Sequence, residues 1–403
     1  MRSASLVDDT TAPGLARHWM LDPRVTFLNH GSFGACPRVV LDAAERLRRR
    51  IEREPVRFLV GELEPLLDEA RAAVGALVGA SADDLAFVPN ATAGVSTVLR
   101  SLALSPGDEL VTTDHAYNAC RQALEHVAAA AGARVVTAVV PFPTPGPDAV
   151  VEAILACVTD RTRLVLVDHV TSPTALVFPI RAIVSALASR GVDTLVDAAH
   201  APGMVPLELD HVGAAYTTGN FHKWLCAPRP AAFLHVRRDR QEAIHPLAIS
   251  HGRNAPLRDR SRFRVEHDWT GTFDPAPYLC VPEAARFLEG LLPGGLRGWM
   301  DHNHASAIAG RRAVCDALGV PLPCPDEMIG AMASVPIPAH LAEGPPACGP
   351  FDPLQETLFS RFGIEVPVFP FPAPPHKLLR VSTPAYITAE DVARLASALT
   401  TLR

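Results

Sequence analysis

Residues 196–236 read VDAAHAPGMVPLELDHVGAAYTTGNFHKWLCAPRPAAFLHV, and their reading decides the fold. An apolar strand closes on an acid, Asp197, and a second short strand leads into His222-Lys223-Trp224. A carboxylate at a strand end is either solvated or the partner of a cation. A lysine between His222 and Trp224 is either an ordinary surface residue or a desolvated amine. Desolvation lowers a lysine's pKa and frees the neutral, nucleophilic form.

The same grammar extends in both directions. From about residue 60 to 250, short apolar runs alternate with segments whose apolar residues recur at helical spacing. LAFVP (85–89), DELVTT (108–113), ARVVTAVV (133–140), RLVLVDHV (163–170), DTLVDAA (193–199), AAYTTG (214–219) and AAFLHV (231–236) predict strands. AGVSTVLRSLAL, NACRQALEHVAAAAG, PDAVVEAILACV and IRAIVSALASRG predict the helices between them. Continuous Val/Leu runs mark strands buried on both faces. The alternation therefore predicts an α/β fold, a mainly parallel sheet sandwiched by helices. Residues 1–58 read as an N-terminal segment joining a small domain and the site entrance, 59–254 as a large α/β domain, and 255–403 as a smaller α+β domain. The last of these closes with a helix capped at Thr388, with Asp391 three residues on. The 38 prolines gather in PFPTPGP (141–147), PLPCP (321–325) and PVFPFPAPP (367–375), which read as turns or extended links.

Composition narrows the classes. With 48% hydrophobic and 20% charged residues the chain reads as globular, and its net charge of −6 offers no nucleic-acid footprint. RLRRRIERE (46–54) intersperses acids and reads as a solvated helix face. No stretch has the apolar length of a signal peptide or a bilayer span, so no membrane partner is expected. Eight scattered cysteines without a C-x-x-C point to no metal site and no disulfide frame, and a reduced, cytoplasmic setting is expected.

In parallel sheets ligands gather at the carboxyl ends of the strands, so polar residues there carry the information. Asn90-Ala91-Thr92-Ala93-Gly94 opens a helix and is either a phosphate seat or an ordinary N-cap. In DHAYNA (114–119), His115 and Tyr117 offer flat rings for stacking or for packing. Asp197 suits a cationic ring nitrogen, and His200 follows at the mouth. Gly271-Thr272 and Arg380 complete the set. An arginine emerging from an apolar strand suits bidentate capture of a carboxylate, with a structural ion pair as the plain alternative. Taken in order, these are the parts that one cofactor would need.

With those residues named, the chain resembles the class V aminotransferase-fold enzymes that use pyridoxal 5′-phosphate (PLP; fold type I), and among them the isopenicillin N epimerase-like branch. The likeness runs from FLNHGSFGACPRVV (27–40) through VDAAHAPG, HKWLCAP and GTFDPAPYL (271–279) to RVSTPAYITAEDVARL (380–395). The resemblance implies that Lys223 binds the cofactor aldehyde, Asp197 pairs with its ring nitrogen and His115 stacks on the ring. It implies that Ala91, Thr92, Ala93, Asn220 and His222 hold the phosphate, with Ser172 and His200 near the ring oxygen. Gly271 and Thr272 would reach the phosphate of a neighbouring subunit, giving a homodimer with shared sites. Arg380, Asn29 and His30 would bind the amino-acid substrate.

The chain departs from the pattern at Asn220-Phe221, where many relatives carry Ser-Gly, at Pro230, where glycine is common, and at Ser172, which is often Asn. The implied chemistry is an external aldimine deprotonated at Cα by Lys223. Epimerisation comes first, with His115, His30 or Tyr117 as donors to the second face. A C–S β-elimination of the ergothioneine-pathway type, or an aminotransferase, is the alternative, and a PLP-binding regulator is the non-enzyme reading. Cysteine desulfuration is disfavoured because 362–380 contains no cysteine; the nearest preceding one is Cys348.

Overall fold

All seven expected strands form one sheet in a computed structural model that describes residues 14–342 and 349–402. They are β1 (Leu85–Val88), β2 (Glu109–Thr113), β3 (Arg134–Ala138), β4 (Thr162–Asp168), β5 (Asp193–Asp197), β6 (Tyr216–Asn220) and β7 (Ala232–Val236). Their spatial order is β1-β7-β6-β5-β4-β2-β3. Every neighbouring pair is parallel except the two made by β7. A parallel return needs a long crossover, usually a helix. The link 221–231 has no helix, so β7 runs back against β6.

Helices cover both faces. Leu110, Leu164, Leu166 and Leu195 share one core with Val95, Val98 and Leu124, whereas Val111, Val165, Val167 and Val196 share the other with Ile154, Ile183 and Leu187. Neighbouring residues of a strand face opposite sides, so the continuous Val/Leu runs supply both cores at once.

A second sheet is antiparallel: β8 (Met332–Pro336), β9 (Val368–Pro370) and β10 (Lys377–Ser382), in the order β9-β10-β8. The long helix Gly295–Leu318 and the last helix, Ala389–Leu402, accompany it. The last helix begins with a reciprocal cap, Asp391 N–H donating to Thr388 Oγ1 and Thr388 N–H to Asp391 Oδ2. Thr26–Phe27 pairs in parallel with Ile364–Glu365, which ties the N-terminal segment to this side. The helix Arg262–Asp268, by contrast, packs on the large sheet, where Phe263 joins the core of Val88 and Leu234. Tyr278 stacks on Phe87 at 5.1 Å. Cys348 lies outside the described residues. Among the described residues, no helix is long and apolar enough to cross a membrane.

One close approach sets the geometry at the strand ends. A Cβ on Gly94 would sit 2.1 Å from Thr218 Oγ1, so only glycine lets the helix Ala91–Ser101 lie directly on β6. Gly94→Ala should cost about 1–3 kcal/mol through overpacking, read as a lower urea midpoint at unchanged slope.

Candidate active site

A cavity of about 410 Å³ opens where β1, β4, β5 and β6 end. Ala91, Thr92, Ser172, Asp197, His200, Asn220, His222 and Lys223 all line it, together with Ser32, Phe33, Tyr117 and Asp168. Residues far apart in sequence thus share one concave wall because parallel strands deliver their ends to one side. A larger cavity of about 500 Å³ beside Leu63, Pro256 and Trp269 contains none of the candidate residues.

Lys223 is not a surface lysine. Its Nζ lies 3.3 Å from His200 Nε2. Burial lowers its pKa to about 8, opposed by the negative charge of Asp197 and reinforced by Arg380. Burial, followed by the lysine charge, pushes His200 well below the ordinary histidine range. His200 is therefore neutral and accepts from the ammonium through Nε2, which leaves its own proton on Nδ1, an atom with no partner among the described residues. The lysine loop is clamped from outside. Gly34, at φ +70°, brings its backbone so close that a Cβ would meet His222 O at 2.2 Å.

Asp197 is buried, and its oxygens accept from the Cys120 thiol (3.1 Å) and the Ala199 N–H (3.0 Å). Beside it, in register on the adjacent strand, lies Asp168, equally buried, with Oδ1 unpartnered among the described residues. Burial raises both carboxyls, and Asp197 raises Asp168 further. Asp168 was not among the residues singled out in the sequence. The signal was present, since LVLVD and TLVD both end an apolar strand on Val-Asp.

The helix start combines both readings offered for it. Asn90 Oδ1 caps the Ala93 N–H at 2.9 Å, while Asn220 Oδ1 takes the Ala91 N–H at 2.9 Å. Ala93 therefore has its N–H engaged and does not line the cavity, whereas Ala91 and Thr92 do. His222 is held by the Ala231 backbone at 2.8 Å, and burial lowers its pKa to about 4.

Arg380 sits directly behind the wall. Its guanidinium donates to Ser172 O (2.7 Å), Ser172 Oγ (3.2 Å) and Ser32 Oγ (2.9 Å). Among the described residues, no carboxylate forms a salt bridge with this buried cation, so the structural ion pair is not what holds it.

Three placements depart from the sequence expectation. His115 does not line the cavity: it is fully buried, its nitrogens bonded to Thr174 Oγ1 (2.7 Å) and Val140 O (3.0 Å), with Phe371 against its ring. Tyr117, two residues on, lines the cavity instead. His30 is equally enclosed, bridging Tyr386 Oη (2.7 Å) and the Lys223 carbonyl (3.0 Å), so it supports the lysine loop from behind. Asn29 donates to Glu365 and accepts from Ser32, away from the cavity wall. Apart from these three, Gly271 and Thr272, expected at a neighbouring subunit's site, lie on a bend outside this cavity, Thr272 exposed.

Comparison with known proteins agrees with this geometry. Residues 34–279 match the family aminotransferase class-V. The chain is 38% identical to isopenicillin N epimerase of Amycolatopsis lactamdurans, covering 94% of this chain and 95% of that one. It is 31% identical to a probable chloroplastic L-cysteine desulfhydrase of Arabidopsis thaliana, covering 94% and 83%. A structure of C-DES with glycine covalently linked to its PLP cofactor shares the fold at a TM-score of 0.79, with 18% identity over 98% of this chain and 99% of that one.

The lowered Lys223 pKa has a direct readout. In cofactor-free protein, acetylation of Lys223 by acetic anhydride, which releases acetate, followed by peptide mass spectrometry, should rise to half its plateau near pH 8. Asp197→Asn should move that midpoint downward, because it removes the anion that favours the ammonium.

Proposed function

Because the chain belongs to the aminotransferase class-V family and is a PLP-dependent enzyme, we propose that it removes the Cα proton of an amino-acid substrate and restores a proton from the other face, as in isopenicillin N epimerisation. Removal of the Cα proton rests on the Lys223 amine, lowered to about pKa 8 between neutral His200 and the buried carboxylate of Asp197, and the choice of epimerisation rests on the 38% identity to isopenicillin N epimerase. The residues fit the cofactor: an amine for its aldehyde, an anion at a strand end, and a helix start with Thr92, Asn220 and His222 for its phosphate.

When bound, PLP supplies the electron sink that makes a Cα proton removable. The protein's own groups do the rest. Asp197, oriented by Cys120 and Ala199, keeps a proton on the ring nitrogen. Lys223 Nζ takes the Cα proton, its position set by His200. Arg380, with Ser32 and Ser172, receives the α-carboxylate. Of the rings considered for stacking and for the second-face proton, only Tyr117 lines the cavity, so both roles fall to it rather than to His115 or His30. Exposed Thr272 with Gly271 reaches the phosphate seat of a second copy, in a cytoplasmic homodimer with shared sites.

A C–S lyase is the second reading, supported by the desulfhydrase likeness; transamination is the third. Among the described residues no cysteine lines the cavity, which speaks against a desulfurase nucleophile.

Incubation in D2O with L-amino acids and cysteine conjugates separates these outcomes. Inverted, Cα-deuterated product supports the epimerase. Pyruvate supports the lyase, and keto acid with pyridoxamine phosphate supports the transaminase. Lys223→Ala should abolish the visible band of the covalently bound cofactor; a retained band would remove Lys223 from the site. Arg380→Ala should keep that band yet raise KM roughly tenfold or more, the loss of charge-assisted hydrogen bonds.

A further inference from the structure

At the amino-terminal ends of β1 and β6, the opposite end of the strands from the cavity, three side chains converge. Asp84 ends the turn before β1, Asp210 lies on the short helix Leu209–Val212 before β6, and His235 lies on β7, in register with Leu85 and Thr217. One candidate ligand atom from each lies within 4.8 Å of the others. His235 is only 3% exposed, and among the described residues neither of its ring nitrogens has a hydrogen-bond partner. Its Nε2 faces Asp210 Oδ1 at 3.4 Å. An imidazole buried without partners is costly to the fold, and a ligand would relieve that cost.

The surroundings are built for orientation. Asp210 Oδ2 accepts the Ser81 N–H at 3.1 Å, which leaves Oδ1 toward the histidine. Asp84 Oδ1 accepts from Gln241 Nε2 (2.7 Å) and Arg238 Nε (3.1 Å). Such bonds fix a carboxylate while its remaining lone pairs stay available. Arg238 is the competing cation, but its side chain is 65% exposed and can move into solvent. Asp210 is exposed, so an ion has a path in.

We propose that Asp84, Asp210 and His235 bind a divalent transition-metal ion of the zinc type, with water completing the coordination. One imidazole and two carboxylates suit such an ion better than calcium or magnesium, which take oxygen donors. Bonds of about 2.0–2.1 Å in tetrahedral geometry place ligand atoms roughly 3.3 Å apart, so small side-chain rotations close the site. The ion would pin edge strand β1, antiparallel β7 and the turn into β6 together. Its role is therefore to stabilise the sheet, independent of the chemistry at Lys223.

The test uses the PLP-loaded enzyme, stripped with a chelator and titrated with Zn2+ by calorimetry and elemental analysis. Wild type should bind one equivalent more than either His235→Gln or Asp210→Asn, and Zn2+ should raise the Tm of wild type alone. Asp210 is exposed, so Asp210→Asn keeps the test valid should the core substitution fail to fold. Equal zinc content in wild type and Asp210→Asn, or a wild type whose Tm ignores Zn2+, would overturn the assignment.

Discussion

The desolvation of one amine governs this site. Lys223 is held among His200, Asp197 and Arg380, and each neighbour is readable from its effect on that amine. Burial alone would drive the lysine further toward its neutral form; Asp197 restrains it. The same carboxylate is raised by its own burial and steadied by the Cys120 thiol and the Ala199 amide. With Asp168 beside it, the mouth of the sheet holds more acid than it can keep ionised without a cation. The Lys223 charge answers that need from within the protein.

The backbone makes the arrangement possible. Parallel strands β4 and β5 place Asp168 and Asp197 in register. The helix-free return from β6 to β7 presents the lysine loop over the same edge. Two glycines then let neighbouring segments press in: Gly94 seats the helix Ala91–Ser101 on β6, and Gly34 brings the N-terminal segment onto the lysine loop. From the other side, His30 links that loop to Tyr386 of the small α+β unit. The amine is thus fixed by contacts from three separate regions of the chain.

The reaction itself is less constrained than the cofactor. Lysine, aspartate and a phosphate seat serve every reaction that begins by removing a Cα proton, so they cannot separate epimerase from lyase. The discriminating groups are those on the face away from the lysine, a role proposed here for Tyr117, which lines the cavity.

Periodicity made the seven strands and their helices legible, because burial on both faces demands continuous apolar runs and burial on one face demands helical spacing. The order of polar strand ends made Asp197, Lys223, Thr92 and Arg380 legible as members of one cavity neighbourhood. What the linear order could not show was orientation beyond a strand end. His115 and Tyr117 follow β2 across a turn closed by the Ala116 N–H to Thr113 O, and once the strand alternation stops, only that turn decides which ring enters the cavity. His30 turned inward for the same reason, its partners lying 193 and 356 positions away. The elements of this protein follow from local pattern; which side chains meet follows from long-range packing, which no local pattern encodes.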